Sequence, residues 1–372
     1  MIFERVGVPS VGSGRMEEIE KCTRCELCVD VCPIYEATGK EAFSPLARIN
    51  AAKRIFEGGS APPEMIEAIY NCPECGRCEV ACPSVVNVTS IVETARAELV
   101  RRGVAPLEGH KRIVSWILEL GNSVGGDPEK RLEWLSEEFE EGESSTLLYF
   151  GCLPSYLVKE SAKSTYLALK RAGVDFMILR NEGCCGVYLY DAGLRDLAEK
   201  VFRQNAERFG KLGIERIITP CAGCYRCFKR YYPKVLGEKF EVEVRHVVEV
   251  LDELMRKGRM KLEKKEMEVT YHDPCRLGRK EGLYEAPRRI LERCGVKIRE
   301  MSESRENGMC CGAGAGIRSL YKELSMEVAA KVLRAAPSET LVTSCPFCVF
   351  NFKYAARKGG IKKDTKYITE LL

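Results

Sequence analysis

Two cysteine patterns recur at matched places in the sequence: C-x31-CC-x35-C-x2-C from Cys152 to Cys224, and C-x34-CC-x33-C-x2-C from Cys275 to Cys348. Their surroundings match as well. "STLLYFGC" ends at Cys152 as "MEVTYHDPC" ends at Cys275, and "GVDFMILRNEGCCG" has its counterpart in "GVKIREMSESRENGMCCG". "RIITPCAGC" answers "TLVTSCPFC", and "VRHVVEVLDEL" answers "TKYITELL". The chain therefore carries two copies of one unit, over 145–260 and 266–372. In each copy short apolar runs alternate with amphipathic helices, which predicts α/β architecture with a parallel sheet. The cysteines fall at the carboxyl ends of the predicted strands, where open α/β sheets hold their ligands.

Adjacent cysteines such as Cys184-Cys185 and Cys310-Cys311 make poor disulfides, because the bridging ring is strained. The first copy supplies Cys152, Cys184, Cys185, Cys221 and Cys224; the second supplies Cys275, Cys310, Cys311, Cys345 and Cys348. Five thiolates exceed the four a cubane needs, and neighbouring cysteines diverge toward different irons. The arrangement points to a multinuclear metal site in each copy.

Upstream, Cys22, Cys25, Cys28 and Cys32 read C-x2-C-x2-C-x3-C before Pro33, and Cys72, Cys75, Cys78 and Cys82 repeat this before Pro83. This is the bacterial ferredoxin spacing. Three thiolates two residues apart curl around one cubane, and the fourth reaches across to the other. Cys22, Cys25, Cys28 and Cys82 are thus assigned to one [4Fe-4S] cluster, and Cys72, Cys75, Cys78 and Cys32 to the second. Zinc is the competing reading, and the matched eight-cysteine runs count against it. The segment between the runs has helical periodicity, with Ser44 and Pro45 suited to a helix start and Gly58-Gly59 to its stop. It resembles the α-helical ferredoxin domain of respiratory iron–sulfur proteins, here 1–103, and 104–144 reads as a helical connector. Trp116 and Trp134 in that connector are expected to pack between domains, and "EEFEEGESS" to be a solvated linker.

Together these motifs resemble the cysteine-rich CCG-domain proteins of the heterodisulfide reductase family, in particular its D-type iron–sulfur component. The same layout occurs in the iron–sulfur components of glycolate oxidase and anaerobic glycerol-3-phosphate dehydrogenase. The resemblance implies an α+β and α/β protein, with a helical ferredoxin domain before two CCG domains. It implies two cubanes and one noncubane [4Fe-4S] cluster in each CCG domain, the second more firmly. Electrons would pass from the cubanes to the CCG clusters and reduce a disulfide, the coenzyme M–coenzyme B heterodisulfide or a relative. Cys275, Cys310, Cys311, Cys345 and Cys348 would form the catalytic set. The alternative is an electron-transfer component of an FAD-linked 2-hydroxyacid or glycerol-3-phosphate dehydrogenase, feeding quinone. Either role calls for a partner, a membrane b-type cytochrome or a flavoprotein dehydrogenase.

Twenty cysteines are the compositional outlier. The start, "MIFERVGVPSVGSGRMEEIEKC", has no apolar export segment, and no run reaches the length of a membrane span. A cytoplasmic protein, bound to a membrane through a partner at most, is the expectation, and in that compartment many thiols mean metal. A net charge of +4 counts the cysteines as neutral and supports no nucleic-acid partner.

Weaker signals remain. "CGAGAG" at 311–316 lacks dinucleotide-loop spacing, and close approach to a cluster is the better account of its glycines. Cys227 and Cys294 read as buried thiols. His272 is a candidate proton relay or a structural support for Asp273. Arg276, Arg279 and Lys280 are either anion-binding residues or exposed charges on a turn.

Overall fold

A computed structural model describes residues 13–139, 142–260 and 262–372. The N-terminal part is built on helices α1 (Pro45–Phe56), α2 (Pro63–Tyr70) and α3 (Val88–Arg101). Ser44 caps α1 by accepting from Ala47 N at 3.1 Å, and Asn87 caps α3 by accepting from Ser90 N at 3.1 Å. Ile49, Ala52 and Ile55 of α1 pack against Ile91, Val92, Ala95 and Leu99 of α3 in one apolar core. The short cysteine-bearing loops hang from this pair.

Helix α4 (Glu108–Leu120) occupies the first half of the expected connector. A turn follows it: Asn122 Oδ1 accepts from Val124 N at 3.2 Å and Gly126 N at 2.9 Å, holding "NSVGG" out of helical register before a short 3-10 helix at Pro128–Lys130. The tryptophans do not sit between domains as expected. Trp134 packs edge-on to Phe150 and Tyr166, 4.6 and 5.9 Å away, and Trp116 lines the other apolar core of the same repeat. Of the expected linker, residues 140 and 141 lie outside the described residues, and Phe139 is half-buried beneath Arg180.

The first repeat holds β1 (Thr146–Leu148), α5 (Lys159–Arg171), α6 (Arg195–Lys211), β2 (Arg216–Thr219), β3 (Glu243–His246) and α7 (Val247–Arg256). The second holds β4 (Met267–His272), α8 (Glu285–Arg293), β5 (Val296–Ile298), α9 (Lys322–Ala335), β6 (Thr340–Thr343), α10 (Pro346–Gly359) and β7 (Asp364–Tyr367). All pairings are parallel, in the orders β1-β2-β3 and β5-β4-β6-β7. The orders coincide once Met177, bridged to Leu147, is set opposite β5. That segment is expected as a strand but pairs at one bridge.

One apolar core runs through both repeats, joining Leu148, Phe150 and Val248 to Val269, Tyr271 and Leu341. A polar tie crosses the same junction. Tyr367 Oη of the second repeat donates to Pro220 O of the first at 2.7 Å, an oxygen that His246 Nε2 of the first repeat also approaches at 3.1 Å. The carboxyl ends of both sheets therefore face a shared region.

Candidate metal centres

In each N-terminal cysteine run the residues flanking the second cysteine take left-handed backbone. Arg24 and Glu26 have φ of 59° and 66°, and Glu74 and Gly76 have 53° and 73°. Non-glycine residues pay about 1–3 kcal/mol for this conformation, which curls each loop so that its thiols converge. Cys22, Cys25 and Cys28 line one cavity, and Cys82 from the other run closes it beside Ile49 and Val86. Cys25 is exposed and its three companions partly buried. Burial pushes the Cys28 thiol up to about 11, with Cys22, Cys82 and Cys25 adding to the effect.

The other set lies deeper. Cys32, Cys72, Cys75 and Cys78 are all buried. The guanidinium of Arg48, itself buried, reaches Cys32 Sγ at 3.5 Å while donating to Ala68 O at 2.8 Å and Asn71 Oδ1 at 2.7 Å. Burial opposes its charge, but Cys72, Cys32 and Cys78 outweigh this and raise its pKa. The fourth cysteine of each run thus lies with the first three of the other.

In the repeats the five cysteines of each set form a run of side-chain contacts. Cys152 meets Cys184, Cys184 meets Cys185, Cys185 meets Cys224, and Cys224 meets Cys221. Likewise Cys275 meets Cys310, Cys310 meets Cys311, Cys311 meets Cys348, and Cys348 meets Cys345. Gly186 N and Gly312 N donate to the first sulfur of each pair, at 3.4 and 3.3 Å. Asn205 and Asn351 donate to the carbonyls of Cys184 and Cys311 at 2.9 and 2.7 Å. The repeats therefore share the glycine bond to sulfur, while their asparagines support opposite members of the cysteine pair from different helices.

Two contacts join sets that the sequence keeps far apart. Cys221 touches Cys345, linking the repeats, and Cys75 touches Cys310, linking the second repeat to the N-terminal part. The Cys310 contact holds the Cys75 thiol down to about 6 against its burial. Nothing in the spacing announces either contact. A cavity of about 300 Å³ also reaches Cys310, bordered by Pro33, Arg77, Val328 and Lys331.

The basic cluster after Cys275 is neither free for an anion nor splayed on a turn. Arg276 is paired with Asp191 at 2.5 Å, and Arg279 donates to Cys75 O at 2.9 Å. Lys280 reaches Glu79 at 2.6 Å and Thr89 at 2.8 Å. All three tie the second repeat to the rest of the chain. Two glycines of "CGAGAG" sit against backbone, Gly314 at the N-terminal part and Gly312 at α9 of its own repeat. A Cβ on Gly314 would lie 2.9 Å from Pro73 O, and one on Gly312 2.7 Å from Ser325 O. Asp273 is held by Arg288 at 2.8 and 2.9 Å, so His272 is not its support. Cys227 and Cys294 are both buried, and Cys227 Sγ donates to Cys185 O at 3.2 Å.

Thiols crowded this way, with few partners besides one another, suit iron–sulfur clusters. Comparison with known proteins agrees. Residues 18–86 match the 4Fe-4S dicluster domain, and residues 146–229 and 269–353 match the cysteine-rich domain. The D-type component of the dihydromethanophenazine:CoB–CoM heterodisulfide reductase of Methanosarcina acetivorans is 32% identical over 363 residues, covering 91% of this chain and 89% of that one. The EtfAB:quinone oxidoreductase of Syntrophomonas wolfei is 28% identical, covering 94% of this chain and 57% of its own length. A hypothetical protein from Helicobacter pylori shares the fold, with a TM-score of 0.59 at 12% identity, over 98% of this chain and 72% of that chain. By its ordered domains and its identity along nearly the full length of a named relative, the chain belongs to the heterodisulfide reductase family of iron–sulfur oxidoreductases, as a D-type component.

Proposed function

We propose that the chain carries electrons from two ferredoxin-type clusters to its cysteine-rich repeats and there reduces a disulfide, the coenzyme M–coenzyme B heterodisulfide or a close relative. In this reading Cys22, Cys25, Cys28 and Cys82 hold one cubane, and Cys72, Cys75, Cys78 and Cys32 the other. Cys152, Cys184, Cys185, Cys221 and Cys224 hold one noncubane [4Fe-4S] cluster. Cys275, Cys310, Cys311, Cys345 and Cys348 hold a second, which is the catalytic one. The functional units are 1–103, 104–144, 145–260 and 266–372.

The observation that carries this reading is the contact of Cys75 with Cys310, continued through Cys348 and Cys345 to Cys221. Bound clusters would supply one-electron transfer at low potential. The chain's own part is to hold the cysteine sets in sequence, bury them, and leave substrate-sized access beside Cys310. No helix among the described residues is long and apolar enough to cross a membrane. A b-type cytochrome partner would then supply the span and hold the chain peripherally on the membrane.

Anaerobically purified protein should carry about sixteen irons if all four clusters are [4Fe-4S]. Viologen-linked reduction of the heterodisulfide, measured with the membrane partner present, tests the chemistry. Cys311→Ala should abolish it while the EPR signals of both cubanes survive. A fully loaded wild type that reduces no heterodisulfide overturns the reading. The similarity to an EtfAB:quinone oxidoreductase favours a second role, electron transfer from a flavoprotein toward quinone. There the same substitution would block transfer from the flavoprotein, with no disulfide activity to lose.

A further inference from the structure

Among the positions at which the two repeats differ beside their cysteines, one bears a titratable ring. Tyr149 and His272 each stand three residues before the first cysteine of their set, at Cys152 and Cys275. Each ring meets a phenylalanine four residues past the last cysteine, edge to face. Tyr149 and Phe228 lie 4.8 Å apart at 85°, and His272 and Phe352 lie 4.8 Å apart at 87°. The polar ends part company. Tyr149 Oη donates to Gly183 O at 2.6 Å, so its hydroxyl is committed to backbone. His272 is 1% exposed, its Nδ1 has no hydrogen-bond partner, and a ring nitrogen lies within 4.8 Å of the sulfurs of both Cys311 and Cys348.

A buried imidazole seldom goes without a partner. Here the unused groups around it are the sulfurs of two cysteines of the catalytic set. We infer that His272 donates an N–H···S hydrogen bond to the thiolates of the second cysteine-rich centre, a bond that Tyr149, committed to Gly183 O, does not make in the first. His272 is then a positioning residue that sets the two centres apart at this position. A donor to a thiolate withdraws charge from the cluster it ligates and favours the reduced state. The second centre therefore has the higher reduction potential, and electrons collect where the disulfide is cleaved. The inference rests on the assignment of clusters to both repeats.

The chain has three histidines, which makes isotope labelling clean. In anaerobic holoprotein carrying 15N-histidine, pulsed EPR should show nitrogen coupling to one noncubane centre, and His272→Gln should remove it. A redox titration should find one noncubane midpoint potential lowered in His272→Phe, partly restored in His272→Gln, with both cubanes unmoved. If His272→Phe does not load, the wild-type coupling alone decides, since its absence overturns the inference. Full iron and intact noncubane signals, without coupling or shift, also overturn it. Wild-type protein lacking those signals altogether would instead defeat the cluster assignment on which it rests.

Discussion

The thiols of Cys221 and Cys345, one from each cysteine-rich repeat, lie in contact across the junction of the two sheets. Each follows a strand flanked on both sides, β2 and β6. The tie from Tyr367 to Pro220 O holds the Cys221 loop against the second repeat. Clusters seated on these two sets would be near neighbours. Cys221→Ser should consequently disturb the Mössbauer and EPR signatures of both proposed noncubane centres. Cys152→Ser, at the far end of the first set, should disturb one. Equal, single-centre effects from the two variants would show that the contact couples nothing.

Arg96 joins three parts of the chain from a fully buried position. Its guanidinium donates to Cys72 O at 2.7 Å, Glu74 Oε1 at 2.9 Å, Asp191 O at 3.0 Å and Ala315 O at 3.1 Å. Removing it strands Glu74 and several carbonyls in a dry interior, at a cost of about 3–5 kcal/mol. Arg96→Leu should lower the urea midpoint of the holoprotein accordingly. Lysine should rescue little, since one ammonium cannot replace a planar fork of donors. A midpoint unchanged in Arg96→Leu would contradict this role.

How much of this could be read beforehand follows from what each feature depends on. Spacing reports local geometry, so the cysteine runs, the repeat and its parallel sheets were legible from residues such as Cys184-Cys185 and the apolar run before Cys221. Contacts between distant loops depend on how the parts dock, and spacing is silent there. The meetings of Cys75 with Cys310 and of Cys221 with Cys345 belong to that class. The basic cluster misled because Arg276 and Lys280 find their carboxylates in other parts of the chain, at Asp191 and Glu79. Arg48 and Arg96 did leave a trace. Each falls on an apolar stripe, Arg48 with Ala52 and Ile55, Arg96 with Val92 and Leu99, and a cation on such a stripe signals a buried partner.

Acid should weaken the protein through His110. Burial lowers its pKa to about 3, with the charge of Arg96 adding to the effect, while an unfolded histidine titrates near 6.5. The folded pKa is the lower one, so the unfolded chain binds the proton first as pH falls. The neutral buried ring contributes stability in full above about pH 6.5, and this is lost progressively down to about pH 3. His110 Nδ1 meets Tyr188 Oη at 2.9 Å, so His110→Phe should lower stability at neutral pH. The variant should also show a shallower decline in urea midpoint below pH 6.5. Parallel declines would remove His110 as a source of acid sensitivity.

Arg48 should set the two proposed cubanes apart in potential. Its charge sits 3.5 Å from Cys32 Sγ in a buried site, whereas the set around Cys25 opens to solvent. A reduced cluster carries one more negative charge than an oxidised one, and burial penalises that charge. The guanidinium offsets the penalty. At an effective dielectric near 20, a unit charge several ångströms away is worth about 2–3 kcal/mol, or on the order of 100 mV for one electron. Arg48→Met should thus lower the midpoint potential of the Cys72–Cys78 cubane by tens of millivolts and leave the other in place. Arg48→Lys should recover part of the shift, because it keeps the charge but loses the fork that spans Ala68 O and Asn71. Redox titration by EPR reads both cubanes in one sample. A shift of the same size in both, or in neither, would mean that the buried arginine braces the loop without acting on the cluster.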